Sequence, residues 1–465
     1  MDMIKKFYVT TAIDYVNAEP HIGHAYQKVI ADVLARWHRI NGENVFFLTG
    51  TDEHGQKIAR SAAEAGLKPK EFVDKMSKKF KDAWEKLDIK YDRFIRTTDK
   101  DHEAFVKDFV NKIKKDIYRG SYEGLYCVGC ERYYTEKDLV NGECQYHPGK
   151  KIEKLKEDTY YFRLSKYQKQ LLKLYETKNF ILPKERRNEI VARVKEGLQD
   201  LSITRTSFKW GIEFPLDNEH VIYVWFEALL NYLSGLGKKH EFWPADLHLL
   251  GKDNSWFHAV IWPAMLLSAG YNAPKTVFVH GFLTFNGQKI SKSLGNVISP
   301  NYLVGKYGSD SIRYFLCRHI PFAEGNDGDF SEQALKDRHN NELADKLGNL
   351  VSRVSTLAEK YGVEKTENKL LKKIDTKKID KLFSNYELDK VLNEIFAFID
   401  LCNEYVQSKK PWETKDKKVL YELVESIKKI GELLSPFIPS TSEKIAKQFS
   451  GKIKKSGILF KKIGS

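Results

Sequence analysis

The chain has 465 residues, enough for about three domains. Apolar residues make up 42% and aromatic residues 13% of the chain, so a sizeable core can form and a disordered chain is excluded. No uncharged apolar run reaches about 18 residues, and no basic stretch followed by an apolar core opens the chain, so neither a membrane span nor a signal peptide is predicted. Five cysteines are too few for a disulfide framework. We expect a reduced, soluble protein of the cytoplasm.

The formal net charge of +14 indicates an anionic partner. Between Ser331 and Ser465 there are 27 basic and 20 acidic residues, so about half of the positive excess lies in this last part. A positive surface attracts polyphosphate, which makes nucleic acid a candidate partner. Charge alone does not decide the question, because a lysine-rich proteome produces the same excess without any nucleic acid.

The first part of the chain is predicted to form a strand, a helix and a second strand. Phe7–Ala12 and Asn44–Thr49 are apolar, β-rich runs. Between them, the stretch Gly23–Ile40 places its apolar residues on one helical face, and Gly42 ends the helix. Such a βαβ unit implies a parallel sheet with ligand sites at the carboxyl ends of its strands.

The amino-acid composition of the sequence changes at about Asp116. Glycines, tyrosines and cysteines crowd together, and no long helix is predicted until about Lys166, which indicates an insertion. The α/β pattern returns near Val221, and from about Ser331 the chain is amphipathic and helical nearly to its end. The predicted fold class is therefore α/β with an inserted segment and an α-helical C-terminal bundle. We place the segment boundaries at 1–115, 116–215, 216–330 and 331–465.

The first chemical motif is Pro20-His21-Ile22-Gly23-His24, where the first strand turns into its helix. Backbone N–H groups at a helix N-terminus favour phosphate, and two imidazoles one turn apart add donors for a transferring phosphoryl group. Gly23 has no Cβ, so a nucleotide can approach the backbone closely. The alternative interpretation is a pair of surface histidines that cap the helix.

The second motif is Lys289-Ile290-Ser291-Lys292-Ser293, on a loop that follows a predicted strand and turn. Two lysines that bracket serines can close over a triphosphate and offset the charge of departing pyrophosphate. Alone, such a string is typical of a solvated loop. Its occurrence with the histidine motif, some 265 residues earlier, favours the phosphate interpretation.

Two close pairs of metal-ligand residues lie in the predicted insertion. They are Cys127 with Cys130 and Cys144 with His147, in the pattern CxxC–x13–CxxH. This spacing is typical of a tetrahedral zinc site. Four protein ligands leave no open position, so we expect one structural zinc ion per chain.

Together the two phosphate motifs resemble the signatures of class I aminoacyl-tRNA synthetases, and the rest resembles the methionyl-tRNA synthetase family, in its bacterial type with a single zinc knuckle. The resemblance covers essentially the whole chain. It implies a Rossmann-like parallel-sheet catalytic domain in two halves, a connective insert with the zinc knuckle, and an α-helical bundle that binds the anticodon. It also implies ATP-dependent ligation of L-methionine to tRNA through methionyl-adenylate, with release of AMP and pyrophosphate.

The resemblance also implies roles for individual residues. The catalytic residues are expected to be the basic side chains of the two motifs, His21, His24, Lys289 and Lys292. ATP is expected to bind at Gly23, Glu213, Asp253, Lys289, Lys292 and Ser293. Methionine is expected to bind at Ile13, Tyr15, Asp52, Arg205, Trp225, Ala228, Leu229, Tyr232 and His258. Aromatic and aliphatic walls suit a polarizable thioether.

Within the expected methionine site, Asp52 matches the carboxylate for the substrate ammonium, and Arg205 matches the arginine that pairs with this carboxylate. Without the resemblance, the stretch 224–232 is predicted to be one helix whose apolar face is more often core than pocket. Asn254 stands where the family usually carries isoleucine. An amide at that position needs hydrogen-bond partners or solvent.

In the helical region, Asp345, Asn349 and Arg353 are spaced by four and form a polar stripe, which a solvated helix face also produces. By resemblance, Asn349, Arg353 and Trp412 read the CAU anticodon, because unstacked bases bind aromatic rings and polar side chains. Trp412 follows a proline, which predicts an extended Lys410 and a helix end before it. The indole is then either a plug between helices or a stacking platform.

The expected cofactors are one structural Zn²⁺ and Mg²⁺ bound with ATP. The expected partners are ATP, L-methionine and tRNA(Met), including the initiator tRNA, and no membrane. No dimerising tRNA-binding domain follows Phe460, so we expect a monomer. A separate tRNA-binding protein that acts in trans is left open.

Other protein classes are weighed against this interpretation. Leucine, isoleucine and valine synthetases carry large editing insertions for which this chain is too short, and a cysteinyl enzyme would disperse its zinc ligands along the chain. Two intact phosphate motifs disfavour a non-enzymatic RNA-binding paralogue. A small-molecule adenylyltransferase would need neither the long helical region nor Trp412.

Overall fold

A computed structural model describes residues 4–129, 132–134, 136, 139–147, 149, 152–285, 287–290 and 297–464 of the chain. Two compact units are present. Unit one comprises Met1–Pro20, Gly42–Asp82 and Tyr91–Val279, and unit two comprises His21–Asn41, Ala83–Lys90 and His280–Ser465. Among the described residues, no helix has the length and apolar character needed to cross a membrane.

The strands are numbered in chain order through both units. They are β1 (Lys6–Thr11), β2 (Asp14–Tyr15), β3 (Asn44–Asp52), β4 (Arg93–Arg96), β5 (Ile117–Cys127), β6 (Arg132–Tyr134), β7 (Glu153–Phe162), β8 (Ile181–Leu182), β9 (Leu201–Ser202), β10 (Thr204–Arg205), β11 (Val221–Ile222), β12 (Leu247–Gly251), β13 (Val277–His280), β14 (Leu283–Phe285), β15 (Gln288–Lys289) and β16 (Gly328–Phe330).

Unit one is built on a seven-stranded sheet in the order β2–β3–β1–β12–β13–β8, with β4 also paired to β3. β1 lies between β3 and β12 and is parallel to both. Since neighbouring parallel strands end at the same edge of a sheet, the residues that end or follow these three strands lie at one edge. Among them are the predicted site residues Ile13, Asp52 and Asp253.

The predicted βαβ unit is confirmed. β1 and β3 fall on the two apolar runs, and the helix Ile22–Ile40 lies between them in the chain. Both strands are almost entirely buried, which explains why their sequences are continuous apolar runs rather than alternating ones. The α/β class, with an inserted sheet and a helical C-terminal region, is confirmed as well.

The inserted segment forms a second, antiparallel sheet in the order β6–β5–β7–β9. Its long hairpin pairs β5 with β7 from Ile117 opposite Phe162 to Tyr126 opposite Glu153. A small core of its own contains the buried residues Cys127, Tyr134 and Cys144. The candidate ligands Cys127 and Cys144 therefore share one small core, next to the end of β5.

The α-helices that lie in unit one are Gln56–Glu64, Lys100–Lys112, Gln168–Leu174, Lys184–Lys195, Val224–Ala228, Asn231–Ser234 and Trp262–Ala269, and the helix Pro69–Lys86 begins there. The single helix predicted over 224–232 is wrong, because two short helices lie there. The side-chain amide of Asn231 donates to the carbonyl of Ala228 at 2.6 Å. In a continuous helix that carbonyl would bond the N–H of Tyr232 instead.

The helix predicted near Trp256–Ala269 is present, but its first part, Phe257–Ile261, is a π-helix. Pro263 has no N–H, so the carbonyl of Ala259 loses its usual helical partner. The buried hydroxyl of Tyr175 donates to this carbonyl at 2.7 Å. A side chain from another element thus satisfies the backbone group that the proline leaves over.

The described part of unit two is mainly helical and contains a small sheet in the order β15–β14–β16. Its helices are Ile22–Ile40, Pro300–Tyr307, Ser309–His319, Glu332–Arg338, the π-helix His339–Gly348, Asn349–Tyr361, Thr376–Ser384, Leu388–Lys409, Pro411–Thr414, Lys417–Leu434 and Pro439–Gln448. Trp37 of the first helix stacks on Phe383, with ring centroids 3.9 Å apart and an interplanar angle of 7°.

Unit two contains a fully buried arginine, Arg313. Its Nη2 atom lies 2.6 Å from a carboxylate oxygen of Asp32, which is also fully buried. The same guanidinium donates to the carbonyls of Pro436 and Phe437 at 2.7 and 3.0 Å and to that of Leu87 at 3.2 Å. One side chain therefore holds three separate stretches of chain against its own helix.

Replacement of Arg313 by methionine is expected to lower the free energy of unfolding by about 3–5 kcal/mol, because Asp32 would stay buried without its counter-charge. Denaturant unfolding followed by circular dichroism measures the loss. The control is Arg186→Met, which removes an exposed pair with Glu189 and should cost less than about 1 kcal/mol. Equal losses in the two variants would contradict the central role of Arg313.

Candidate functional site

His21 and His24 stack on each other at the start of the helix Ile22–Ile40, with ring centroids 3.8 Å apart. Nδ1 of His21 accepts from the N–H of Gly23 at 3.1 Å, and Nδ1 of His24 accepts from the N–H of His21 at 3.2 Å. A ring nitrogen that accepts carries no proton, so each neutral ring is protonated on Nε2. The helix-cap interpretation and the phosphate-donor interpretation are therefore compatible, since they use different nitrogens.

Burial lowers the pKa of His24 well below its ordinary value, and the charges of His21 and Lys28 act in the same direction. His24 is therefore neutral at physiological pH and acts as a hydrogen-bond donor rather than as a cation. Gly23 leaves room for the His21 ring. A Cβ at this position would lie 3.0 Å from two atoms of the His21 ring, closer than an ordinary van der Waals contact.

The second phosphate motif begins at the end of a strand in unit two. Lys289 lies on β15, opposite Thr284 of the antiparallel strand β14. The predicted residues Lys292 and Ser293 lie outside the described residues. The structure thus positions the backbone of Lys289, and the rest of this motif stays a prediction.

Asp52 ends β3 and is 4% exposed. Tyr15 lies opposite it on the parallel strand β2, and the hydroxyl of Tyr15 donates to the carbonyl of His54 at 3.0 Å. The indole of Trp210 donates to the carbonyl of Glu53 at 2.7 Å. The two residues that follow the candidate ammonium ligand are therefore held through their backbones.

Tyr232 and His258 form a buried hydrogen-bonded pair. The Tyr232 hydroxyl lies 2.6 Å from Nε2 of His258, and Nδ1 of His258 lies 2.9 Å from the carbonyl oxygen of Asn254. A carbonyl only accepts, so His258 is protonated on Nδ1 and its Nε2 accepts from Tyr232. Burial lowers the pKa of His258 to about 4, which keeps the ring neutral. Burial, above all, raises the pKa of Tyr232, and the charges of Asp14 and Asp52 add to the rise.

An aromatic wall completes the predicted apolar pocket. Trp225 stacks on Phe257 with ring centroids 4.2 Å apart and an interplanar angle of 11°. Phe257 was not predicted from sequence, although it stands directly before His258 in an aromatic run. The remaining pocket residues belong to the core of unit one or pack against it: Ile13, Ala228 and Leu229.

Arg205 is 3% exposed on β10. Its guanidinium donates to the hydroxyl of Ser202 at 2.9 Å and to the carbonyl of Thr204 at 2.7 Å, and it lies over the ring of Tyr223 at 4.3 Å. These contacts fix the orientation of the buried Arg205 guanidinium.

The two candidate ribose ligands differ in their surroundings. Asp253 is exposed in the short turn that follows β12. Glu213 pairs by an isolated bridge with Val221, and its carboxylate lies 3.5 Å from the ammonium of Lys107. Both side chains are accessible to a ligand.

Three of the predicted zinc ligands converge. The ligand atoms of Cys127, Cys144 and His147 all lie within 4.8 Å of one another, and Nδ1 of His147 is 3.9 Å from each sulfur. Ligand atoms that share a tetrahedral zinc ion are roughly 3.5–3.8 Å apart, so the donor set fits this metal. A Cβ at Gly129 would lie 2.5 Å from the His147 ring, so glycine is required there. Cys130 lies outside the described residues.

The predicted anticodon residues lie in unit two. Asn349 begins the helix Asn349–Tyr361, and Arg353 follows one turn later. Trp412 is 36% exposed, so it is not a core plug. The extended Lys410 predicted before it is wrong. The preceding helix does end at Lys409, but Lys410 is left-handed, with φ 44°, and its N–H bonds the carbonyl of Val406 at 3.1 Å as a helix cap.

Two protein-family models match the chain. The family described as tRNA synthetases class I (M) matches residues 7–154 and 137–355. The anticodon-binding domain of tRNA ligase matches residues 367–462. The first match includes the stacked histidines, the candidate metal ligands and Lys289, and the second covers most of the C-terminal helices.

Known relatives show which family of class I tRNA synthetases the chain resembles. A methionine–tRNA ligase of Thermotoga maritima is 46% identical over 96% of this chain and 75% of its own length. One of Rickettsia conorii is 42% identical over 99% of this chain and 95% of its own length. The solved structure of Mycobacterium tuberculosis methionyl-tRNA synthetase in complex with methionyl-adenylate superposes with a TM-score of 0.91 at 38% identity, over 96% of this chain and 94% of that one. The chain belongs to the methionine–tRNA ligase family of class I synthetases.

Protein purified without chelator is expected to contain one zinc ion per chain, because the converging sulfur and nitrogen atoms suit this metal. Cys130→Ser should lower the zinc content and weaken tRNA aminoacylation more than ATP–pyrophosphate exchange. Elemental analysis and the two activity assays measure these effects. Cys402→Ser, at a buried cysteine of unit two, is the control and should leave the zinc content unchanged. A wild-type protein without zinc would contradict the assignment.

Proposed function

We propose how this methionine–tRNA ligase uses its residues. L-Methionine attacks the α-phosphorus of ATP, which gives methionyl-adenylate and releases pyrophosphate. The adenylate then acylates the terminal adenosine of tRNA, and AMP leaves. The observation that carries the proposal is the histidine stack, because each ring is held by a backbone N–H and keeps a proton on Nε2 for a phosphate oxygen.

The phosphate groups meet two kinds of donor. His21 and His24 supply neutral N–H groups at a helix N-terminus, whereas Lys289 and Lys292 supply positive charge for the departing pyrophosphate. Gly23 allows the nucleotide to approach, Glu213 and Asp253 face the ribose hydroxyls, and Ser293 contacts the phosphates. Mg²⁺ accompanies ATP and neutralises part of its charge. Catalysis is positioning and charge stabilisation, without a covalent enzyme intermediate.

Methionine is held at two points. Asp52 binds the ammonium group, and Arg205 holds the direction of this carboxylate. The side chain lies among Ile13, Tyr15, Trp225, Ala228, Leu229 and Tyr232, and His258 orients Tyr232. Since the Tyr232 hydroxyl donates to His258, its proton is occupied and its ring offers an apolar surface to the thioether.

The tRNA is bound by other parts of the chain. We propose that zinc, held by Cys127, Cys130, Cys144 and His147, stiffens the insert near the acceptor end. Asn349, Arg353 and Trp412 read the anticodon of tRNA(Met), including the initiator tRNA. The exposed indole of Trp412 supports this role, because a stacking platform must be accessible to a base.

The enzyme is further proposed to act in the cytoplasm as a monomer, with a separate tRNA-binding protein as an optional partner in trans. ATP–pyrophosphate exchange with each amino acid in turn tests the substrate assignment, and methionine alone should support rapid exchange. Analytical ultracentrifugation tests the oligomeric state.

Lys292→Ala is expected to slow adenylate formation by on the order of 10²-fold or more, because a charge on the departing pyrophosphate is lost. The affinity for methionine should change little. Pre-steady-state adenylate formation and equilibrium methionine binding measure the two effects. The control Lys378→Ala removes an exposed lysine that pairs with Glu394 and should react at the wild-type rate. Near wild-type exchange by Lys292→Ala would show that the catalytic assignment is wrong.

Trp412→Ala is expected to cut tRNA aminoacylation by the stacking energy of one base, about 1–3 kcal/mol, while ATP–pyrophosphate exchange stays almost unchanged. Both assays and a melting curve are needed. Trp37→Ala is the reference for a structural indole, since Trp37 is buried and stacks on Phe383. It should lower the melting temperature and both activities. If Trp412→Ala behaves like Trp37→Ala, the anticodon role of Trp412 is refuted.

A further inference from the structure

Buried polar side chains form a hydrogen-bonded network, here called the polar network, in unit one beside the proposed methionine site. The hydroxyl of Ser234 lies 2.8 Å from Nδ1 of His102, and Nε2 of His102 lies 3.0 Å from one carboxylate oxygen of Glu227. The other oxygen of Glu227 lies 2.9 Å from Nδ1 of His54. Glu227 and His102 are fully buried, and His54 is 3% exposed.

Most proton positions in the polar network follow from its donors and acceptors. A carboxylate only accepts, so the ring nitrogens that face Glu227 both carry protons. Nδ1 of His102 faces the Ser234 hydroxyl at 2.8 Å. Burial is the largest single influence on the pKa of His54 and lowers it, but the charge and hydrogen bond of Glu227, together with the charges of Glu103 and Glu53, raise this pKa above its ordinary value. Both oxygens of Glu227 are thus satisfied by rings from two other segments of the chain.

The polar network joins the two halves of the proposed methionine site. His54 lies two residues after Asp52, and its carbonyl accepts from the Tyr15 hydroxyl. Glu227 lies on the short helix Val224–Ala228, two residues after Trp225. The bond between His54 and Glu227 therefore connects the segment of the ammonium ligand directly to the helix of the aromatic wall.

Stability alone does not account for such a buried charge. Apolar residues of the same volume are often as stabilising as a buried ion pair, whereas removal of one partner is costly. The polar network additionally fixes the orientation of its side chains, because hydrogen bonds to a carboxylate fix both distance and angle. A displacement of about 1 Å in a bound substrate can cost on the order of 10²-fold in rate.

We propose that Glu227, bridged by His54 and His102, is a positioning residue that fixes the distance between Asp52 and the Trp225 wall and thereby sets the length of amino acid that the site accepts. This inference rests on the proposed methionine site. When a ligand is held at its ammonium group and along its side chain, the separation of these two contacts determines which ligand length fits. If this separation becomes variable, the affinity for methionine falls and a longer homologue can bind.

Glu227→Gln keeps the size of the side chain but replaces one acceptor by an amide N–H. The KM for methionine in ATP–pyrophosphate exchange should rise about tenfold or more, as for loss of a hydrogen bond to a charged group, while the KM for ATP stays within about twofold. The preference in kcat/KM for methionine over its S-ethyl homologue should fall by a similar factor, because one methylene is normally worth about 10-fold or more.

Two variants of His102 extend the test and serve if Glu227→Gln does not fold. His102→Gln keeps an N–H donor that can reach Glu227, so it should retain most of the methionine affinity. His102→Leu removes the donor and should lose it. The matched control is His339→Gln in unit two, a buried histidine that lies 2.8 Å from the Ser311 hydroxyl and 2.9 Å from the Lys461 carbonyl. It should lower the melting temperature without changing the KM for methionine.

Asp52→Asn separates the two levels of the argument. If it leaves the KM for methionine unchanged, the proposed methionine site is wrong and this inference falls with it. If Asp52→Asn raises that KM but folded Glu227→Gln and His102→Leu do not, the methionine site stands and the positioning role of Glu227 is refuted. A rise in the KM values for methionine and ATP by the same factor in Glu227→Gln would also refute it, because the effect would then be general.

Discussion

The guanidinium of Arg313 is the contact on which unit two depends. All five of its N–H donors are used, toward the carboxylate of Asp32 and the carbonyls of residues 87, 88, 436 and 437. These stretches are distant in the sequence, and loop closure alone would leave them poorly aligned. Lysine could not replace the arginine, because an ammonium has three donors and no planar fork. Asp32 also accepts from the Arg36 side chain and the Lys90 N–H, so both ends of the ion pair are satisfied.

Unit one also contains buried carboxylates with several hydrogen bonds, and they lie beside residues of the proposed methionine site. Glu53 is fully buried, and its two oxygens accept from both sides of the Arg96 fork at 2.7 and 2.8 Å. Glu227 accepts from two histidines. Asp52 stands directly before Glu53 and two residues before His54. Asp52, the proposed ammonium ligand, therefore stands beside two residues whose side chains are fixed by buried hydrogen bonds.

Features that depend on neighbours in the sequence were predictable, and those that depend on distant partners were not. The βαβ unit follows from apolar runs and a helical period, and CxxC–x13–CxxH indicated a metal site by spacing alone. The helix break at Asn231 arises from a side chain that competes for one carbonyl, and the left-handed Lys410 from a helix cap that the following proline does not prevent. Glu227 was missed because its partners stand 173 and 125 residues away in the sequence.

The histidine stack limits which residues can replace it during evolution. Each ring uses one nitrogen as an acceptor for the start of the helix and keeps the other as a donor. Lysine or arginine would supply donors and charge but could not accept from the backbone, whereas aspartate could accept but would repel phosphate. Among uncharged side chains without a ring, asparagine and glutamine combine a strong N–H donor with a carbonyl acceptor. At positions 21 and 24 a side chain must therefore combine a donor with an acceptor, and a substitution that conserves only size or only charge loses either the helix cap or the proposed contact with the nucleotide.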